Sequence, residues 1–223
     1  MPTVPLQVGA PSDWVSLGPA SRFLGVDPDT LRRWADAGRV RAFATPGGHR
    51  RFSRADLERL AAAKVAARRP LASLGATTDR VSRAYARSYR ADGSAPGLER
   101  FEADERTALR IEGRRLVAVL LAYLDATRPA DRARWEAEAG GLIGTTATRL
   151  ANAGATTSEV VEIYLRARQP LLGELGALGR RRALEAIQLA ALFEQAVALL
   201  DRLLLHLVAT HAMAMSNLHR EPR

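Results

Sequence analysis

The chain concentrates arginine in a short stretch near its N-terminus. Within residues 31–51 a single acidic residue, Asp36, stands against six arginines, at positions 32, 33, 39, 41, 50 and 51. A guanidinium group can clamp a phosphate or pair bidentately with guanine, so the cluster indicates a polyanionic partner. Residues 1–70 hold 12 Lys+Arg and 6 Asp+Glu, which is +6 of the net charge of +9. A solvated basic face of an arginine-rich chain would give the same counts, since Lys64 is the only lysine.

Two short helices are predicted to position the first arginine pair. Ser16 can cap a helix that runs to about Leu24, and Asp27-Pro28 is typical of the N-cap and first residue of a second helix. That helix should end near Ala37, and a glycine separates the two. The spacing predicts a helix-turn-helix.

A β-hairpin is predicted to carry the second arginine pair. Residues 40–45 form a candidate strand, and Pro46-Gly47-Gly48-His49 is a tight turn in which both glycines are expected at positive φ. The chain returns over residues 50–52. Ser53-Arg54-Ala55-Asp56 is a capping-box pattern that opens a third helix to about residue 68. We therefore expect a winged helix-turn-helix over residues 14–70.

This stretch resembles the winged-helix DNA-binding domains of the MerR superfamily, in particular the BldC-like and excisionase-like branch. The resemblance rests on GVDPDTLRRWADAGRV and TPGGHRRF, within roughly residues 14–60. In that family the second helix enters the major groove and the wing reaches the adjacent backbone or minor groove. The resemblance implies DNA contacts from Asp29, Thr30, Arg32, Arg33, His49, Arg50 and Arg51.

Several of these residues also have a purely structural interpretation. Asp29 and Thr30 can serve the N-terminus of their own helix, and Arg33 or Arg51 can pack against a neighbour. Trp34 is expected in the core of the domain.

The rest of the chain is predicted to be helical, so that the fold class is mainly α. Residues 1–13 are expected to be a disordered tail, and residues 71–97 a linker with one short helix that ends at ADGSAPG. Residues 98–223 should form a bundle. Its four helices are predicted at 99–126, 127–154, from a capping box at Thr156 through Pro170, and 181–217.

The last helix has an apolar arc wider than one face of an intramolecular bundle usually needs. We expect part of it to form a homodimer interface, with the candidate residues Leu192, Phe193, Val197, Leu200, Leu204 and Leu207. The segment LANAGATTSEVVEIYLRARQPLL is similar to the helical N-terminal sensor domains of RsbR-type stress proteins. That resemblance implies a regulatory or assembly module.

Motifs of catalysis and of cofactor binding are not found. There is no cysteine, no Gly-rich phosphate loop, no HExxH and no GxSxG, so we expect no enzyme and no cofactor. His206 and His211 are candidates for a haem or metal, but lone histidines on an apolar helix are more often packed. A small-molecule effector of the helical domain is left open.

No uninterrupted apolar run approaches ~20 residues and no secretory pattern opens the chain, which predicts a cytoplasmic, nucleoid-associated protein without a membrane partner.

These observations predict a bacterial, sequence-specific transcription regulator that binds double-stranded DNA as a homodimer, with RNA polymerase or a regulatory protein as a further contact. One alternative is an excisionase-like or architectural DNA-bending factor. The other is a signalling or scaffold protein whose helical domain docks a partner.

Overall fold

The computed structural model describes residues 13–91, 100–181 and 183–218. The chain forms two compact units, one of Met1–Arg68 with Glu185–Gln188 and one of Arg69–Leu184 with Leu189–Arg223. Each has a hydrophobic core of its own. The predicted fold class, a winged helix-turn-helix followed by a helical bundle, is confirmed. The predicted N-terminal tail lies, apart from Asp13, outside the described residues.

The first unit is a helix-turn-helix with a small sheet. Its elements in chain order are β1 (Trp14–Ser16), α1 (Leu17–Leu24), α2 (Pro28–Asp36), β2 (Ala42–Ala44), β3 (Arg50–Ser53) and α3 (Arg54–Ala66). The three strands are antiparallel in the order β1-β3-β2. The predicted helices and hairpin are confirmed to within a few residues, whereas β1 was not predicted. Asp27 caps α2 as expected, because its Oδ1 accepts the N–H of Asp29 at 2.8 Å.

The core of this unit is small and local in sequence. Six apolar residues are buried there: Ala20, Leu24, Leu31, Val40, Phe52 and Leu57. Trp34 packs against this core as predicted while remaining partly exposed, and the Arg39 guanidinium lies 4.9 Å from the centre of its ring. The hydrophobic contacts therefore hold α1, α2 and α3 against one face of the sheet.

The second unit is all-helical. After a 3-10 turn at Leu71–Leu74 it contains α4 (Thr78–Ala91), α5 (Ala103–Asp125), α6 (Pro129–Asn152), α7 (Thr157–Arg180) and most of α8 (Ala186–Leu218), whose residues 186–188 belong to the first unit. Thr156 caps α7 in the predicted capping box with Glu159. The predicted helix starts at 99 and 181 are too early: α5 begins at Ala103, after a capping box of Glu102 with Glu105, and α8 begins at Ala186.

The prediction of a linker at residues 71–97 was wrong over its described part. Leu71 and Val81 are fully buried in the core of the second unit, and α4 packs against α5 and α7. The apolar residues of this segment recur at helical spacing, and burying them makes the segment part of the bundle. Residues 92–97 lie outside the described part.

Helix α8 supplies core residues as well as surface. Leu192, Leu200 and Leu207 are 2%, 4% and 2% exposed within the single chain, which contradicts their assignment to a dimer interface. Phe193 and Leu204 are partly buried against the same core, and only Val197 of the six is exposed, at 40%. Part of the apolar arc is therefore covered by other helices of the same chain, as where the Tyr164 hydroxyl on α7 donates to the carbonyl of Leu200.

The length and composition of α8 would also suffice for a membrane span, although its uninterrupted apolar runs are short. Core helices of soluble proteins share these properties, so they are weak evidence for a membrane. This helix places seven side chains in the interior of the bundle.

Candidate nucleic-acid interface

Helix α2 presents its N-terminal turn and a polar face with two arginines. Leu31 is fully buried beneath this face, whereas Arg32 and Arg33 beside it are exposed. Arg32 forms an ion pair with Asp29, and Arg33 Nη2 donates to Thr30 Oγ1 at 3.1 Å. The arginines are thus held along the helix surface, and the positive end of the helix dipole lies one turn away.

The wing turn is closed by hydrogen bonds between its two ends. The N–H of Thr45 donates to the carbonyl of His49 at 2.9 Å, and the N–H of His49 donates to Thr45 Oγ1 at 3.2 Å. Of the two glycines in the turn only Gly48 has a positive φ, at 77°, so the expectation for Gly47 was wrong. His49 is exposed at the end of this turn.

Strand β3 directs Arg50 and Arg51 to opposite faces of the sheet, because successive side chains of a strand alternate. Arg50 lies on the face of Phe52 and reaches α2. Its Nη1 donates to Asp36 Oδ1 at 2.6 Å and to the carbonyl of Arg32 at 3.3 Å. Arg50 therefore fixes the wing relative to the C-terminal end of α2.

Arg51 lies on the outer face of the sheet. Its register partners are Ser16 on β1 and Phe43 on β2. Trp14 and Phe43 make an edge-to-face contact on the same face, with ring centres 4.7 Å apart. The described residues offer Arg51 no hydrogen-bond or ion-pair partner, so its guanidinium is available to a ligand of this face.

A buried carboxylate at the base of the wing was not predicted. Asp56 is 2% exposed and accepts three hydrogen bonds from Arg41: from the backbone N–H at 2.9 Å, Nε at 3.0 Å and Nη2 at 3.1 Å. The side-chain hydrogen bond from Arg41 is the largest cause that lowers the pKa of Asp56. Arg41 thereby joins β2 to α3 and is committed to the fold.

The same contact corrects the predicted capping box at the start of α3. Ser53 Oγ accepts the N–H of Asp56 at 3.4 Å, which is one half of the box. The other half is replaced, since the carboxylate of Asp56 binds Arg41 and the N–H of Ser53 donates to the carbonyl of Arg41 at 2.9 Å. No local signal reveals this pairing, because the partners are 15 residues apart.

The seven predicted contact residues therefore lie in three places. Asp29, Thr30, Arg32 and Arg33 follow one another on the first turns of α2. His49 and Arg51 are on the wing, and Arg50 lies between the wing and α2. Among the residues that the structure describes there is no group of three or more His, Asp or Glu that could hold a metal ion.

Comparison with known proteins supports the interpretation of this site. A family model described as a helix-turn-helix domain matches residues 14–65. The match spans β1 through most of α3, and helix-turn-helix domains bind DNA through their second helix. No curated protein and no solved structure matches the chain. The family match extends neither to the second unit nor to the narrower MerR assignment.

Proposed function

We propose that the protein is a sequence-specific transcription regulator of the MerR/BldC-like type, in which α2 lies in the major groove and the wing contacts the adjacent backbone. The observation that carries the proposal is the exposed pair Arg32 and Arg33 on the helix that follows the turn. An α-helix fits the major groove, and arginine pairs bidentately with O6 and N7 of guanine. The Arg50–Asp36 contact keeps the wing in a fixed position beside this helix.

The residues differ in the chemistry they offer. Arg32 is positioned by Asp29 and would exchange that exposed ion pair for a base contact. Thr30, in the first turn of α2, can donate to a phosphate near the positive end of the helix. Arg51 and His49 project from the wing, where a guanidinium and a ring N–H can bind phosphate oxygens.

The proposal includes a cytoplasmic, nucleoid-associated homodimer, with RNA polymerase or a regulatory protein as a further contact. One domain presents one recognition helix, and two linked domains bind a double site far more tightly than one. The described surface of α8 offers exposed apolar side chains, with Leu205 72% and Met213 60% exposed. We therefore place the dimer contact on this outer face.

Genome-wide occupancy of the wild type and of the double variant Arg32→Ala/Arg33→Ala tests the proposal. Discrete promoter sites that the variant loses, with altered transcription of the adjacent genes, would support it. Occupancy limited to attachment sites of mobile elements would support an excisionase-like factor instead. If the wild type occupies no discrete sites on the genome, the proposal is overturned and a signalling or scaffold function is favoured.

A further inference from the structure

The second unit contains a cavity of about 1,020 Å³ lined by α4, α5, α6, α7 and one residue of α8. Its wall is mainly aliphatic and aromatic, and includes Tyr85, Leu116, Ile143, Leu150 and Val160. The cavity opens to solvent on the α5 side, where Ile111 in its wall is 66% exposed. Binding sites for small molecules have this size and this apolar character.

Three tyrosines contribute to the wall in different ways. The hydroxyl of Tyr164 is committed, since it donates to the carbonyl of Leu200 at 2.5 Å. The rings of Tyr85 and Tyr89 lie with their centres 6.2 Å apart. Burial raises the pKa of Tyr85, so this phenol stays neutral at physiological pH. The wall is therefore aromatic on the α4 side, and Tyr85 contributes no negative charge.

The charged residues of the lining are mostly arginines. Arg106, Arg110 and Arg114 follow one another at intervals of four residues on α5, and so share one side of that helix. Arg106 donates to the carbonyl of Phe101, and Arg114 pairs with Asp79. For Arg110, which is exposed, no partner occurs among the described residues.

The acidic group of the described lining is already neutralised. Glu112 forms a two-pronged ion pair with Arg149, at 2.8 Å and 3.1 Å. The charges left over at the cavity are thus those of Arg110 and of Arg106, whose hydrogen-bond partner is a neutral carbonyl, and both favour an anionic group.

We propose that this cavity is a binding site for a small apolar carboxylic acid. Its hydrocarbon body lies against the aliphatic and aromatic wall, and its carboxylate pairs with Arg110. The proposal is independent of DNA binding, because every residue it uses belongs to the second unit and its test measures ligand binding alone.

Isothermal titration of the full chain with dodecanoate and with its neutral analogue dodecan-1-ol, both below their aggregation limits, tests the charge. We expect saturable binding of one dodecanoate per chain, and about tenfold weaker binding of the alcohol because the charge-assisted hydrogen bond is lost. Arg110→Gln should weaken the binding of dodecanoate by about the same factor and leave the binding of dodecan-1-ol unchanged. Arg115→Gln is the matched control: this residue lies on α5, pairs with Glu138 and does not line the cavity.

A variant that fills the cavity tests its location. Ala167→Phe should abolish binding of both compounds while circular dichroism stays wild-type, because Ala167 lines the cavity; if this variant fails to fold, Thr146→Phe takes its place. The proposal is overturned if the wild type binds no dodecanoate, if Arg110→Gln and Arg115→Gln weaken binding equally, or if a folded filling variant binds like the wild type.

Discussion

At the residue scale, the exposed arginines of the first unit differ in their surroundings and should differ in function. Arg32 lies on α2, the helix proposed to enter the groove, and Arg51 on the outer face of the wing, without a partner in the described chain. A base contact depends on sequence, whereas a phosphate contact does not. The two residues can therefore be told apart by how their loss acts on different DNA sequences and salt concentrations.

We expect Arg32→Ala to weaken binding of the cognate site by about 1–3 kcal/mol and to relax specificity at one base pair. Arg51→Ala should weaken binding to all DNA sequences by the same factor. It should also reduce the slope of log affinity against log salt concentration by about one unit. Fluorescence anisotropy on a panel of single-base variants at several salt concentrations measures both. Arg166→Ala, an exposed arginine of the second unit, is the charge-matched control. Wild-type behaviour of both variants would refute the DNA-facing assignment.

For the Arg50–Asp36 pair, the direction in which DNA affinity changes separates two possible roles of Arg50. Asp36→Ala removes a negative charge close to the proposed DNA surface, which by electrostatics alone should strengthen binding. If Arg50 acts by fixing the wing to α2, the same variant should weaken binding, by about two- to fivefold for an exposed ion pair. Anisotropy titration of the wild type, Asp36→Ala and Arg50→Ala separates the two cases. Tighter binding by Asp36→Ala would show that Arg50 does not need its partner.

At the element scale, the cap of α7 makes a prediction about pH. Hydrogen bonds from the backbone of Thr156, and then from Arg100, lower the pKa of Glu159 to about 2, against 4.5 for an unperturbed glutamate. Because the pKa is lower in the folded state, ionised Glu159 stabilises the folded state fully above pH 4.5. This stabilisation is lost as pH falls towards about 2. Glu159→Gln should thus melt below the wild type at pH 7, and the difference should shrink between pH 4.5 and 2.5.

Thermal melts followed by circular dichroism check this result. Glu162→Gln serves as the control, because Glu162 lies on the same helix and pairs with Arg166 without taking part in the cap. A difference in melting temperature between wild type and Glu159→Gln that stays constant over this pH range would contradict the assigned cause.

The elements themselves were largely predictable because their signals are local. Asp27, Ser53 and Thr156 each mark the start of a helix in the sequence, and each caps one in the structure. Strand β1 was not predictable, since three residues carry too little pattern and pair with residues 35 to 39 positions later. The Arg41–Asp56 contact and the cavity were missed for the same reason: both depend on which elements meet in space.

At the scale of the whole molecule, the proposed dimer contact lies on the exposed side of α8, because most of the residues first assigned to the interface are buried within their own chain. Leu200 is 4% exposed and its carbonyl accepts the Tyr164 hydroxyl, whereas Leu205 is 72% exposed. Leu205→Glu should therefore leave the melting of the chain unchanged but shift it from dimer to monomer in sedimentation velocity. DNA binding should weaken with it, by on the order of 10²–10⁴ when two sites are engaged together. Leu200→Glu should instead unfold the bundle, because it buries a charge without a partner. A wild-type chain that sediments as a monomer at micromolar concentration, or a Leu205→Glu variant that remains dimeric, would exclude this face as the interface.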